Sequence, residues 1–134
     1  MYIFTLECVR ISLIFFFSND DSTVVFKLKD HSISDLTSVV LDMIIQDLGE
    51  NTVCQALYVQ NISEAMGEAQ LTALTDVLKR KMIWCLNIGE NYQISLEGWT
   101  RFCKALPETN VTHLYVSEHT IPLSLKNEMR DHIR

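Results

Sequence analysis

The sequence has no CxxC pair, no glycine-rich loop, no long uncharged apolar run and no extended basic tract. Each absence removes a class of function. Its four cysteines, at positions 8, 54, 85 and 103, match no zinc or disulfide framework, and a reduced, intracellular setting fits them best. Four glycines do not make a phosphate cradle: Asn87-Ile88-Gly89-Glu90-Asn91 places an acidic side chain where an anion would have to sit. Basic residues number 11 against 17 acidic ones, for a formal charge of −6. The one basic cluster, Lys79-Arg80-Lys81, is too short to follow a phosphate backbone and reads as a solvated helix end, where cations suit the negative pole of the dipole. No nucleic-acid partner is expected.

The first seventeen residues, MYIFTLECVRISLIFFF, are strongly apolar, yet Glu7 and Arg10 interrupt them, and the uncharged stretch that follows, Ile11 to Ser18, is short. That is too short to span a bilayer. A secretion signal would want a basic start and a small-residue cleavage site, whereas here the charges lie inside the run and Ser18-Asn19-Asp20-Asp21 follows it. Residues 1–22 are therefore read as an apolar edge element. The alternative is a secreted or membrane-linked recognition fragment whose N-terminus is a signal, with sequons Asn61-Ile62-Ser63 and Asn110-Val111-Thr112 as glycan sites. A chain of 134 residues that is 48% hydrophobic has material for one domain and one core.

What is present is a recurrence. Leu86 and Ile88 form an apolar-x-apolar pair; Leu57 and Val59 lie 29 residues before them, Leu114 and Val116 lie 28 after, and Phe26 and Leu28 precede the Leu57 pair by 31. Three residues before the anchor stand Cys54, Ile83 and Val111, all apolar, with Thr23 breaking the trend. Five after Leu86 stands Asn91, where a buried amide could bond the backbone of a turning chain; His31, Ile62 and His119 hold the equivalent places.

Between the pairs the apolar spacing becomes helical. Leu96, Trp99, Phe102, Cys103 and Leu106 recur at three- and four-residue steps, with Glu97, Arg101 and Lys104 opposite them, until Pro107 stops the helix. Leu71, Leu74 and Leu78 repeat the arrangement earlier, as do Leu36, Val39, Val40, Met43 and Ile44 before Gly49, with Ser34 or Asp35 as candidate cap. Downstream, Ser124 precedes Leu125, Met129 and Ile133. Each unit thus reads as strand, turn and helix. One such unit cannot bury both faces alone, so residues 23–134 are expected to stack about four of them around a shared core.

IWCLNIGENYQIS followed by LEGWTRFCKAL, with CQALYVQNIS and VTHLYVSEHTI as looser copies, resembles leucine-rich repeats of the ribonuclease-inhibitor-like class, whose units are 28 and 29 residues long. The resemblance implies an α/β fold: a short right-handed solenoid, a horseshoe segment with parallel strands on the concave face and helices on the convex one. It also implies a non-catalytic module that binds a protein on the concave strands, here a fragment of a larger repeat protein. Carried over by position, the exposed strand residues are Lys27 and Lys29, Tyr58 and Gln60, Asn87 with Glu90, and Tyr115 and Ser117, flanked by Trp84, Cys85, His113 and Glu118. Of these, Tyr58, Gln60, Asn87, Glu90, Tyr115 and Ser117 are the candidate partner-binding residues. Tyr58, Asn87 and Tyr115 should form a ladder. Trp84 is expected at a buried rim and Trp99 in the core.

An enzyme would have to be built from His113, Glu118, His119 and the cysteines. His113 and His119 straddle a strand and a turn instead of sharing one helical face, so they make no convergent zinc set. A Cys/His enzyme would need Cys85 and His113 within hydrogen-bond reach. No catalytic residue, metal or cofactor is expected.

Overall fold

The computed structural model describes residues 2–6, 23–28, 37–62, 64–116 and 121–133, the first two segments by their backbone. It is an α/β structure built on one parallel sheet. Strands β1 (Tyr2–Leu6), β2 (Thr23–Leu28), β3 (Ala56–Tyr58), β4 (Cys85–Asn87) and β5 (His113–Tyr115) lie side by side in chain order. Parallel neighbours need a crossover, and helices supply three of them. These are α1 (Ser38–Glu50), α2 (Glu68–Arg80) and α3 (Leu96–Ala105), with α4 (Leu123–His132) after the last strand. Each helix packs on the next.

The register aligns the apolar pairs. Phe26 stands beside Leu57, Leu57 beside Leu86, and Leu86 beside Leu114. Because side chains alternate across a strand, the leucines of β3 and β4 point together into the core while their neighbours point away. Leu57, Val59, Ile83, Leu86 and Ile88 are all buried, facing Leu41, Ile44, Leu74, Leu78, Trp99 and Phe102 from the helices. Trp99 is completely buried and meets Phe102 edge-on, ring centroids 5.9 Å apart.

Local chemistry sets the helix boundaries. Thr37 caps α1 by accepting the Val40 amide, and Asn51 ends it, its Oδ1 taking the Val53 and Cys54 amides at 3.0 and 2.7 Å to turn the chain toward β3. At α2, Gln70 Oε1 accepts the Gly67 amide while its Nε2 donates to Asp42 on α1, so a buried amide is satisfied at both ends. Ser95 caps α3 through the Gly98 amide. Glu68 of α2 in turn accepts from the Ser95 amide and hydroxyl, stapling one helix start to the next. Pro107 sits in a 3-10 turn, Leu106–Glu108, that closes α3.

The fully buried amide of Asn91 explains why an asparagine stands among apolar groups. Its Nδ2 donates to the carbonyls of Ile88 (2.9 Å) and Val59 (3.0 Å), and its Oδ1 accepts the Ile62 amide (3.0 Å). One side chain therefore closes its own turn and ties it to the preceding one. Just before it, Glu90 adopts a left-handed φ of 60°, as does Asn61 at 54°, one 29-residue step earlier. The Asn61 amide donates to the Gly89 carbonyl, so the two turns lie against each other.

Three helical details differ from the spacing argument. The cap of the first helix is Thr37, and its buried stripe is Leu41, Ile44, Ile45 and Leu48, with Val39 66% exposed. A run of consecutive apolar residues, Val39 to Leu41, hides the helical phase, and the phase chosen is the one that faces α2. Leu96 is 55% exposed because Gly98, not Leu96, takes the close approach to α2: a Cβ on Gly98 would lie 3.0 Å from Ile94 Cγ2 and 3.1 Å from Glu68 Oε1. The last helix begins at Leu123, after Pro122, ahead of Ser124. Ser34, Asp35 and Leu36 lie outside the described residues. Among the described residues no helix is long and apolar enough to cross a membrane.

Candidate partner-binding face

Since the leucines of β3 and β4 turn inward, the alternate strand positions form the opposite face of the sheet. Two rows run across it. One is Ala56, Cys85 and His113; the other is Tyr58, Asn87 and Tyr115, each residue standing directly beside the next. The backbone of Lys27 continues the second row beside Tyr58, and that of Thr5 continues it beside Lys27.

The rows are packed and hydrogen-bonded at one end and open at the other. Ala56 and Cys85 are buried in a small apolar cluster with Tyr58. Tyr58 Oη lies 3.8 Å from Cys85 Sγ, and that contact, with burial, pushes the phenol above its usual range. Asn87 Nδ2 donates to Gln60 Oε1 and Asn87 Oδ1 accepts the Gly89 amide at 3.1 Å, fixing both half-buried amides. Toward β5 the cover falls away, and Tyr115 is 54% exposed.

Trp84 belongs to this open end. The expected buried rim position is corrected: the indole is 42% exposed, because Ile83 beside it takes the inward place. Its Nε1 donates to Gln55 Oε1 at 3.2 Å, and its ring meets His113 edge-on at 5.1 Å. His113 Nδ1 is 2.9 Å from Thr112 Oγ1. A groove of about 430 Å³ adjoins Tyr115 between β5 and α4, lined by Leu114, Val116, Met129 and Ile133 with Lys126 and Arg130.

Of the expected contact residues, Tyr58, Gln60, Asn87 and Tyr115 share this face, and Glu90 sits half-buried at the turn beyond it. Ser117, Lys29, Glu118 and His119 lie outside the described residues. Trp84 and Gln55 join the face through a bond between residues 29 apart, a step at which strand-end positions recur. Cys85 and His113 are register neighbours, but the thiol meets Tyr58 while the imidazole meets Thr112 and Trp84.

A second constellation lies between α3 and α4. Cys103 Sγ, Glu128 and His132 present ligand-type atoms within 4.8 Å of one another, and burial, with the nearby Glu128 charge, pushes the Cys103 thiol up to about 11. The signal in the sequence was the four-residue step from Glu128 to His132, one helical turn.

No family model matches the chain, and no curated protein matches it in sequence. Among solved structures it is similar to one titled "Leiomodin-1 Actin-Binding Site 2 (ABS2)", with a TM-score of 0.73 at 14% sequence identity, over 94% of this chain and 73% of that one. At that identity the likeness is one of fold.

Proposed function

We propose that the chain is a short solenoid of the leucine-rich-repeat kind and that it is a non-catalytic module binding a protein on its strand face. The repeat reading rests on side-chain contacts that join residues one period apart. Gln55 meets Trp84, Tyr58 meets Cys85, Ile62 meets Asn91, Glu68 meets Ser95 and Lys81 meets Asn110. Contacts of this kind arise when equivalent positions of successive coils stack.

The observation that carries the binding reading is the row Tyr58, Asn87, Tyr115, in register on one face and ending at the exposed Tyr115, with a second exposed aromatic side chain, Trp84, against His113 of the neighbouring row. Tyrosine and tryptophan bring large contact area at small entropic cost and dominate measured interface energies. Here the neighbouring bonds hold the face before any partner arrives, so little ordering remains to be done on binding. The Cys85 and His113 side chains are engaged elsewhere, which supports a module without catalysis.

Capture from a native extract with parent and variant chains tests this. Trp84→Ala combined with Tyr115→Ala removes both anchors and should weaken retention of any specific partner by about a hundredfold, since each anchor contributes on the order of 1–2 kcal/mol. Thr72→Ala with Asp76→Ala, exposed on α2, should leave retention unchanged. Equal losses in the two double variants, or loss only in the α2 pair, would refute the strand face as the site. The similar structure's title makes purified actin the first partner to assay by the same comparison.

A further inference from the structure

Three side chains of metal-binding type converge between α3 and α4, away from the strand face. Glu128 and His132 stand one turn apart on α4, so they leave the same side of the helix, and Cys103 faces them from α3. Cys103 Sγ and His132 Nδ1 are 3.8 Å apart. In a tetrahedral zinc site with bonds of about 2.3 Å to sulfur and about 2.0–2.1 Å to nitrogen, those two atoms would be about 3.6 Å apart. A small side-chain rotation closes the difference. Glu128 is exposed and His132 half-buried, so the group opens to solvent on one side and rests on a buried thiol on the other. Among the described residues no other three such side chains converge.

We propose that Cys103, Glu128 and His132 form a three-ligand site for zinc, or a divalent transition metal of similar softness, with water as the fourth ligand. Thiolate with imidazole and carboxylate suits zinc, whereas magnesium and calcium want a shell of oxygens alone. On uptake the Cys103 thiol loses its proton to solvent and the sulfur lone pair forms the metal bond. His132 gives up the 2.8 Å bond from Nδ1–H to the Cys103 carbonyl, its Nδ1 proton passing by way of solvent to Nε2, and the freed Nδ1 lone pair forms the metal bond. The metal then links α3 to α4. Because Met129 and Ile133 of the α4 segment line the groove beside Tyr115, that link also fixes one wall of it.

The test is titration of the full chain with cobalt chloride and then zinc chloride, following the thiolate-to-cobalt absorption band and the unfolding temperature. One molar equivalent of cobalt should develop the band, zinc should displace it, and zinc should raise the unfolding temperature. Glu128→Gln should weaken cobalt binding by about tenfold or more, and His132→Ala or Cys103→Ala should abolish the band. Should Cys103→Ala fail to fold, His132→Ala and Glu128→Gln carry the test from the solvent side. A folded parent chain without the band overturns the proposal. So does a band, with its zinc-dependent stabilisation, that survives in His132→Ala, since the metal would then sit on another thiol.

Discussion

Replacing Asn91 by alanine removes three hydrogen bonds at a point with no access to water. The Val59 and Ile88 carbonyls lose their donor and the Ile62 amide loses its acceptor, all around a side chain with 0% exposure. A buried polar group left unpaired costs about 1–3 kcal/mol. Three such groups set a range of about 3–9 kcal/mol, and a water admitted to the vacated space would recover part of it, so about 3–4 kcal/mol is expected. That is a large share of the roughly 5–15 kcal/mol that holds an ordinary domain. Urea unfolding followed by far-ultraviolet circular dichroism measures the loss, with an unchanged slope showing that the same surface unfolds. Asn110→Ala is the comparison, because that exposed amide makes one bond, to the Lys81 carbonyl at 2.7 Å, and its loss should cost no more than about 1 kcal/mol. If Asn91→Ala were no worse than Asn110→Ala, the amide would not be what joins the two turns.

Leu86→Ala should cost about 2–5 kcal/mol, because the side chain is fully buried, while Tyr115→Ala should stay within about 0.5 kcal/mol; the reverse order in urea would mean that the sheet faces the other way. Glu68 is held below the usual carboxylate range first by its bonds from Ser95 and then by Arg101. Its folded form thus binds a proton less readily than the unfolded chain, and its contribution, present above the unfolded pKa, is lost as pH falls through the folded one. Glu68→Gln should therefore flatten the acid side of a melting-temperature profile, and an unaltered acid slope would count against the staple. Asp47 is shifted the other way, by burial and then by Glu50, and its Oδ2 has no hydrogen-bond partner among the described residues. Its contribution is present below the unfolded pKa and lost as pH rises through the folded one, so Asp47→Asn should stabilise at neutral pH and lose that gain in acid. A destabilised Asp47→Asn at pH 7 would refute this.

Much of the sheet was legible because its anchors recur. Leu57, Leu86 and Leu114 align as their spacing implied, since a parallel register repeats whatever the sequence repeats. Asn91 was legible for a related reason: an amide in an apolar run must find partners, and a turn offers backbone ones. The first helix was misphased because Val39, Val40 and Leu41 are all apolar, and only the neighbouring helix selects among them. Trp84 defeated a rule based on size. Large aromatic groups are usually covered, but Ile83 already filled the inward place and left the indole to Gln55, His113 and solvent. The Cys103, Glu128 and His132 group was hidden because its members fall on two helices, and the distance between helices is not written in either one.

The division of the sheet into a core face and an opposite face depends on the register between neighbouring strands, since a slip of one residue would exchange the two. Cross-strand nuclear Overhauser contacts between backbone amide and α protons measure it directly in the labelled protein. The expected contacts link Leu57 with Leu86 and Leu86 with Leu114, alongside Tyr58 with Asn87 and Asn87 with Tyr115. Contacts that instead pair Leu57 with Asn87, or Leu86 with Tyr115, would contradict it.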